Sequence, residues 1–83
     1  MIYKATIDVR LKPGYSDPEG ETTAKALQGL GYSVIDVRVG KRYEINFDAV
    51  NREEAEAIVK QMCRRQLSNP TRDDYSFEIK KVI

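Results

Sequence analysis

Apolar and polar residues alternate from Ile2 to Leu11, with Tyr3, Ala5, Ile7, Val9 and Leu11 on one side and Lys4, Thr6, Asp8 and Arg10 on the other. A period of two is that of a strand with one face buried. Lys12-Pro13-Gly14-Tyr15-Ser16 follows as a loop, marked by its Pro-Gly pair. Over residues 18–30 the period becomes helical, and Thr23, Ala24, Leu27 and Leu30 form a thin apolar stripe. Asp17 is the predicted N-cap, since its carboxylate can accept from an orphaned first-turn N–H. Pro18 suits the first helical position and Gly31 the left-handed residue just past the end. Gly20 and Gly29 each weaken this helix by about 1 kcal/mol relative to Ala, so packing from outside must hold it.

Two more alternating runs come next. Residues 34–39 set Ile35, Val37 and Val39 against Asp36 and Arg38; residues 42–47 set Tyr43, Ile45 and Phe47 against Arg42, Glu44 and Asn46. Gly40-Lys41 reads as the reversal between them. A two-residue loop there would pair Val39 with Arg42 and mix the faces, whereas pairing Val39 with Tyr43 keeps them apart. The pattern therefore predicts an odd loop or a bulge. Asn51 and Glu54 have the spacing of a capping box. The helix they open carries Ala55, Ile58, Val59, Met62 and Leu67 on one stripe, and Asn69-Pro70 stops it. After a polar loop, Tyr75, Phe77 and Ile79 alternate along a last strand.

The order strand, helix, strand, strand, helix, strand predicts one α+β domain spanning residues 1–83. Its expected architecture is a ferredoxin-like sandwich: a four-stranded antiparallel sheet with two helices on one face. The helix-covered face should hold Ile7, Val9, Ile35, Val37, Ile45, Phe47, Phe77 and Ile79.

Composition narrows the chemistry. The 83 residues carry 14 Lys+Arg and 13 Asp+Glu, a net charge of +1 that gives no field to draw in nucleic acid or a membrane surface. RNA recognition on this topology stacks bases on aromatics of the open sheet face. Here Tyr3, Tyr43, Phe47, Tyr75 and Phe77 all share parity with the core. Histidine is absent and there is one cysteine, Cys63, so a Cys/His zinc site, a His-based triad and an internal disulfide are all excluded. Cys63 on the second helix reads as a buried small hydrophobe. Gly29, Gly31 and Gly40 do not match a dinucleotide fingerprint. Lys4, Asp8 and Arg10 interrupt any signal-peptide core in the opening residues, which makes the cytoplasm the expected location. No catalytic or metal-ligating set emerges. A chain this small buries only about 60–65% of its unfolded surface, so self-association is a reasonable source of further burial. Tyr15 and Tyr32, flanking the first helix, suit either the core or a protein interface.

An ordered set of fragments runs over nearly the whole chain: Leu11-Lys12, Asp17-Pro18-Glu19-Gly20, Ala26-Leu27, Leu30-Gly31-Tyr32 and Val37-Arg38-Val39-Gly40-Lys41. Met62-Cys63, Leu67-Ser68-Asn69-Pro70 and Asp74-Tyr75-Ser76-Phe77-Glu78 continue it. With these the chain resembles the PurS family, a small subunit of phosphoribosylformylglycinamidine synthase, which acts at the fourth step of purine biosynthesis. Thr71-Arg72 departs from the apolar residues expected of relatives. The resemblance implies a non-catalytic subunit that binds no cofactor itself. Its partners would be a synthetase subunit (PurL), which binds ATP and magnesium, and a glutaminase subunit (PurQ), which releases ammonia from glutamine. This chain would help assemble them and support ammonia transfer, as a homodimer or larger oligomer. The loops and turn that match the family supply the candidate interface residues: Arg38 and Lys41 first, then Gly40, Tyr32, Asp17, Gly20, Asn69 and Pro70. Two rival readings stand beside this one: a small-ligand-binding regulatory module on a dimeric ferredoxin-like fold, and a stand-alone enzyme using Glu, Asp or Lys acid–base chemistry.

Overall fold

The computed structural model describes residues 1–83. In chain order the elements are β1 (Ile2–Leu11), α1 (Pro18–Gly29), β2 (Gly40–Asp48), α2 (Arg52–Met62) and β3 (Asp73–Lys81). The alternating first strand sits at the centre of a three-stranded antiparallel sheet ordered β2-β1-β3. Register follows the hydrophobic pattern. Ala5 lies between Ile45 and Ile79, and Ile7 lies between Tyr43 and Phe77, so one face is continuously apolar. On the other face Asp8 is opposite Arg42 and Thr6 is opposite Glu44.

Only α2 covers the apolar face. Ala55, Val59 and Cys63 are fully buried against Tyr3, Ala5, Ile7, Val9 and Ile79. Asn51 caps this helix by accepting from the Glu54 N–H at 2.9 Å. The stripe reaches Leu67 because the helix ends in a π-helical turn, Cys63–Leu67, closed by the Ser68 N–H donating to the Cys63 carbonyl at 2.9 Å. The wider turn holds Leu67 against the core, where a continued α-helix would rotate it away.

Three expectations are corrected. The sheet has three strands, not four, because residues 33–39 join no ladder and make no backbone–backbone hydrogen bond. Ile35, assigned to the core from its parity, is 95% exposed. Gly40-Lys41 forms neither reversal nor bulge; both residues lie inside β2, opposite Arg10 and Val9. One arrangement underlies all three. No turn or bend interrupts residues 33–39, so the chain never folds back beside β2. Together with α1 this run forms an arm beyond the sheet, and no residue of α1 joins the core cluster. The Cα radius of gyration is 16.4 Å and the extents are 51 × 27 × 14 Å, against about 12 Å expected for a compact chain of this length.

Candidate assembly surface

Where the arm leaves the sheet, α1 and residues 37–40 are fastened by short-range polar contacts. Asp17 joins them. One carboxylate oxygen accepts from the Gly20 N–H at 3.0 Å, capping α1, and the other accepts from the Val39 N–H at 2.9 Å. These two backbone donors, Val39 first and then Gly20, hold the Asp17 carboxyl below the usual carboxylate range, with Arg38 adding a smaller favourable charge. Gly20 is buried in the angle between the two segments. A Cβ there would run into the Val37 carbonyl oxygen and lie 2.7 Å from Asp17 Oδ2, so only glycine fits. Arg38 donates through Nη2 to the Leu11 carbonyl at 3.0 Å, tying the run to the end of β1. Farther out, Gln28 donates to the Val34 carbonyl at 2.9 Å. Gly31, at φ 94°, ends α1 in the left-handed region.

Beside this junction, on the apolar side of the sheet, a groove of about 760 Å³ opens. Val9, Tyr43 and Leu67 supply apolar surface; Asp17, Gly40, Lys41 and Asn69 stand around it. Four of the eight candidate interface residues therefore meet at one place. Gly20 and Arg38 lie behind them as fasteners of the arm. Pro70 sits in the adjoining turn, where the Thr71 N–H donates to Asn69 Oδ1 at 3.0 Å. Tyr32 lies past the far end of α1, 62% exposed, and takes no part in the groove.

The sequence pattern places Leu30 on the packed stripe of α1 and Ile35 in the core, so of the arm's apolar surface it offers only Tyr32 as an interface residue. Leu30 is 74% exposed and lies with Tyr32 and Ile35 in the half of the arm farthest from the sheet. A signal was present: the thin stripe and two glycines of α1 showed a helix unable to stand alone. The opposite sheet face is polar, with Asp8 and Arg42 paired through two hydrogen bonds of 2.9 and 3.3 Å. Arg42 holds the Asp8 carboxyl below its usual range, chiefly through those bonds. Cys63 is buried, and desolvation pushes its thiol up, away from the nucleophilic thiolate. No buried side-chain polar atom lacks a partner.

A fastened arm with apolar surface, a groove of mixed polarity and two free sheet edges make the apparatus of a subunit that binds other protein chains. The comparisons identify which. Residues 4–81 match the family model described as PurS, phosphoribosylformylglycinamidine (FGAM) synthase. The PurS subunit of Methanocaldococcus jannaschii is 37% identical over 82 residues, covering 98% of this chain and 99% of that one. The solved PurS structure from Thermus thermophilus superimposes with a TM-score of 0.87 at 40% identity and full coverage of both chains. A chain of the Thermotoga maritima PurLQS structure also gives 0.87, at 33% identity, covering 96% of this chain and 99% of its own. The chain belongs to the PurS family and is a subunit of FGAM synthase, a multi-subunit ligase of purine biosynthesis.

Proposed function

We propose that this chain joins the synthetase subunit (PurL) to the glutaminase subunit (PurQ) and supports passage of ammonia between them, contributing no catalytic residue. The observation that carries this reading is its full-length likeness to a chain of the Thermotoga maritima PurLQS structure. ATP and magnesium belong to the synthetase subunit in this account, and this chain binds neither. It works in the cytoplasm beside its partners; none of its helices is long and apolar enough to cross a membrane. It acts as a homodimer or larger oligomer, and the four-stranded ferredoxin-like sandwich is a property of that assembly. Lys41, Tyr32, Asn69 and Pro70 meet partner surfaces, while Asp17, Gly20, Arg38 and Gly40 hold the arm that presents them.

The test is synthesis of formylglycinamidine ribonucleotide by the synthetase and glutaminase subunits, with and without this chain. Glutamine and free ammonia serve in turn as nitrogen source. The expected result is dependence on the chain with glutamine and indifference to it with ammonia. Equal rates with and without it under glutamine would overturn the coupling role.

A further inference from the structure

We infer that the open polar face of the sheet docks a partner subunit, through a surface of that subunit that carries an acidic and a basic group about 7 Å apart, the spacing of two residues along a strand. The acidic group sits over Lys4 and Lys80, and the basic group over Glu78. This rests on the reading of the chain as an assembly subunit and specifies a docking surface and its chemistry.

Register builds the face. Across the three strands, Lys4 lies between Lys80 and Asn46, Thr6 between Glu78 and Glu44, and Asp8 between Ser76 and Arg42. α2 packs against the opposite, apolar side. The two halves of the polar face differ. Toward β2 the charges neutralise one another: Arg42 pairs with Asp8 at 2.9 Å and Lys4 with Glu44 at 3.6 Å. Toward β3 they do not. Lys80 and Glu78 are exposed and enter none of the chain's ion pairs. Between the halves lies a depression of about 360 Å³, where the short side chains of Thr6 and Ser76 stand among longer neighbours. Their hydroxyls take part in none of the chain's side-chain hydrogen bonds.

The order of the charges works against the chain's own sheet. Lys80 stands directly opposite Lys4, and like charges facing each other across strands are destabilising. Exchanging Glu78 and Lys80 would place a carboxylate opposite Lys4 with composition and net charge unchanged, so neither of those quantities accounts for the order found. A carboxylate from outside the chain does. It meets the Lys80 ammonium, which has no counter-ion, and the donors of Lys4 that Glu44 leaves free. The Thr6 and Ser76 hydroxyls lie alongside, and Glu78 holds a cation two residues away. Electrostatic complementarity of this kind selects a partner and fixes its register.

The experiment titrates the full chain into the synthetase and glutaminase subunits during glutamine-dependent synthesis and reads the chain concentration that gives the half-maximal rate. The variant exchanges the two charges, Glu78→Lys with Lys80→Glu. The expected result is a half-maximal concentration raised about tenfold or more. The Tm of the free variant should equal or exceed that of the native chain, because Lys4 gains a complementary cross-strand neighbour. An unchanged half-maximal concentration would overturn the docking face and leave Lys80 as protection of an edge strand. A change in the mass of the free chain by light scattering would assign the face to a second copy and overturn the proposal as well. A rate indifferent to the native chain would bring down the subunit reading and the docking face together. Should the exchange unfold the chain, Lys80→Gln and Lys80→Arg carry the test. The first should raise the half-maximal concentration and the second should keep the native value; equal values for both sink the proposal.

Discussion

A single carboxylate, Asp17, links helix capping to the placement of the arm. Each of its oxygens accepts one backbone N–H, from Gly20 and from Val39, so the charged form is favoured in the folded chain and its pKa is lowered. Between that lowered value and the ordinary one of about 3.9, the unfolded chain binds more protons than the folded chain. Stability from Asp17 is thus fully present above the ordinary value and is lost as pH falls through the folded one. A carboxyl 13C titration should place the Asp17 midpoint below that of an unstructured aspartate. Asp17→Asn should lower stability at neutral pH, because one N–H then faces an amide donor. The stability curves of the two proteins should converge in acid, and parallel curves would show that the carboxylate charge is not involved. Reading the sequence identified Asp17 as the cap. It could not identify the second bond, because Val39 is 22 residues away and nothing local marks it as a donor to that side chain.

Among the elements, the strands with partners inside the chain were legible, and so were both helices with their caps. The run containing Ile35, Val37 and Val39 has the same alternation as β1, yet alternation reports a surface suited to pairing and says nothing of which chain supplies the pair. The stripe from Met62 to Leu67 was legible as a pattern, but the π-helical turn that produces its spacing was not. Of the candidate interface residues, Lys41, Gly40, Asp17 and Asn69 converge on one groove, a proximity that their separation in sequence does not show; Arg38, ranked first with Lys41, is turned to the Leu11 carbonyl. For α1, two glycines that look equivalent in sequence should behave oppositely. Gly29 has nothing within 4 Å of an added Cβ, so Gly29→Ala should stabilise the helix by up to about 1 kcal/mol. Gly20→Ala forces the Val37 carbonyl and the Asp17 carboxylate apart. It should cost about 1–3 kcal/mol, as overpacked sites do, despite the better helix propensity of alanine. Urea denaturation of the two variants separates these outcomes, and a stabilised Gly20→Ala would mean that the backbone at Val37 does not sit against α1.

At the scale of the molecule, burial is the governing quantity. Only 11 of 83 residues are buried, and α1 adds apolar surface without adding to the core cluster. An isolated chain of this shape carries the entropy cost of ordering an arm that returns little burial to it. Packing the arms against second copies would supply that burial, and the folded state is then linked to association. The linkage has a thermal signature: a protein that gains stability by binding itself melts at a temperature that rises with its own concentration. Tm measured from micromolar to several hundred micromolar chain should climb steadily, and Ile35→Asp should flatten the dependence toward the value found at the lowest concentrations. A Tm independent of concentration in the native chain would show that the small core of α2 and three strands carries the stability by itself. The arm would then be kept for the partner subunits alone, with its apolar residues facing the synthetase or glutaminase subunit instead of a second copy of this chain.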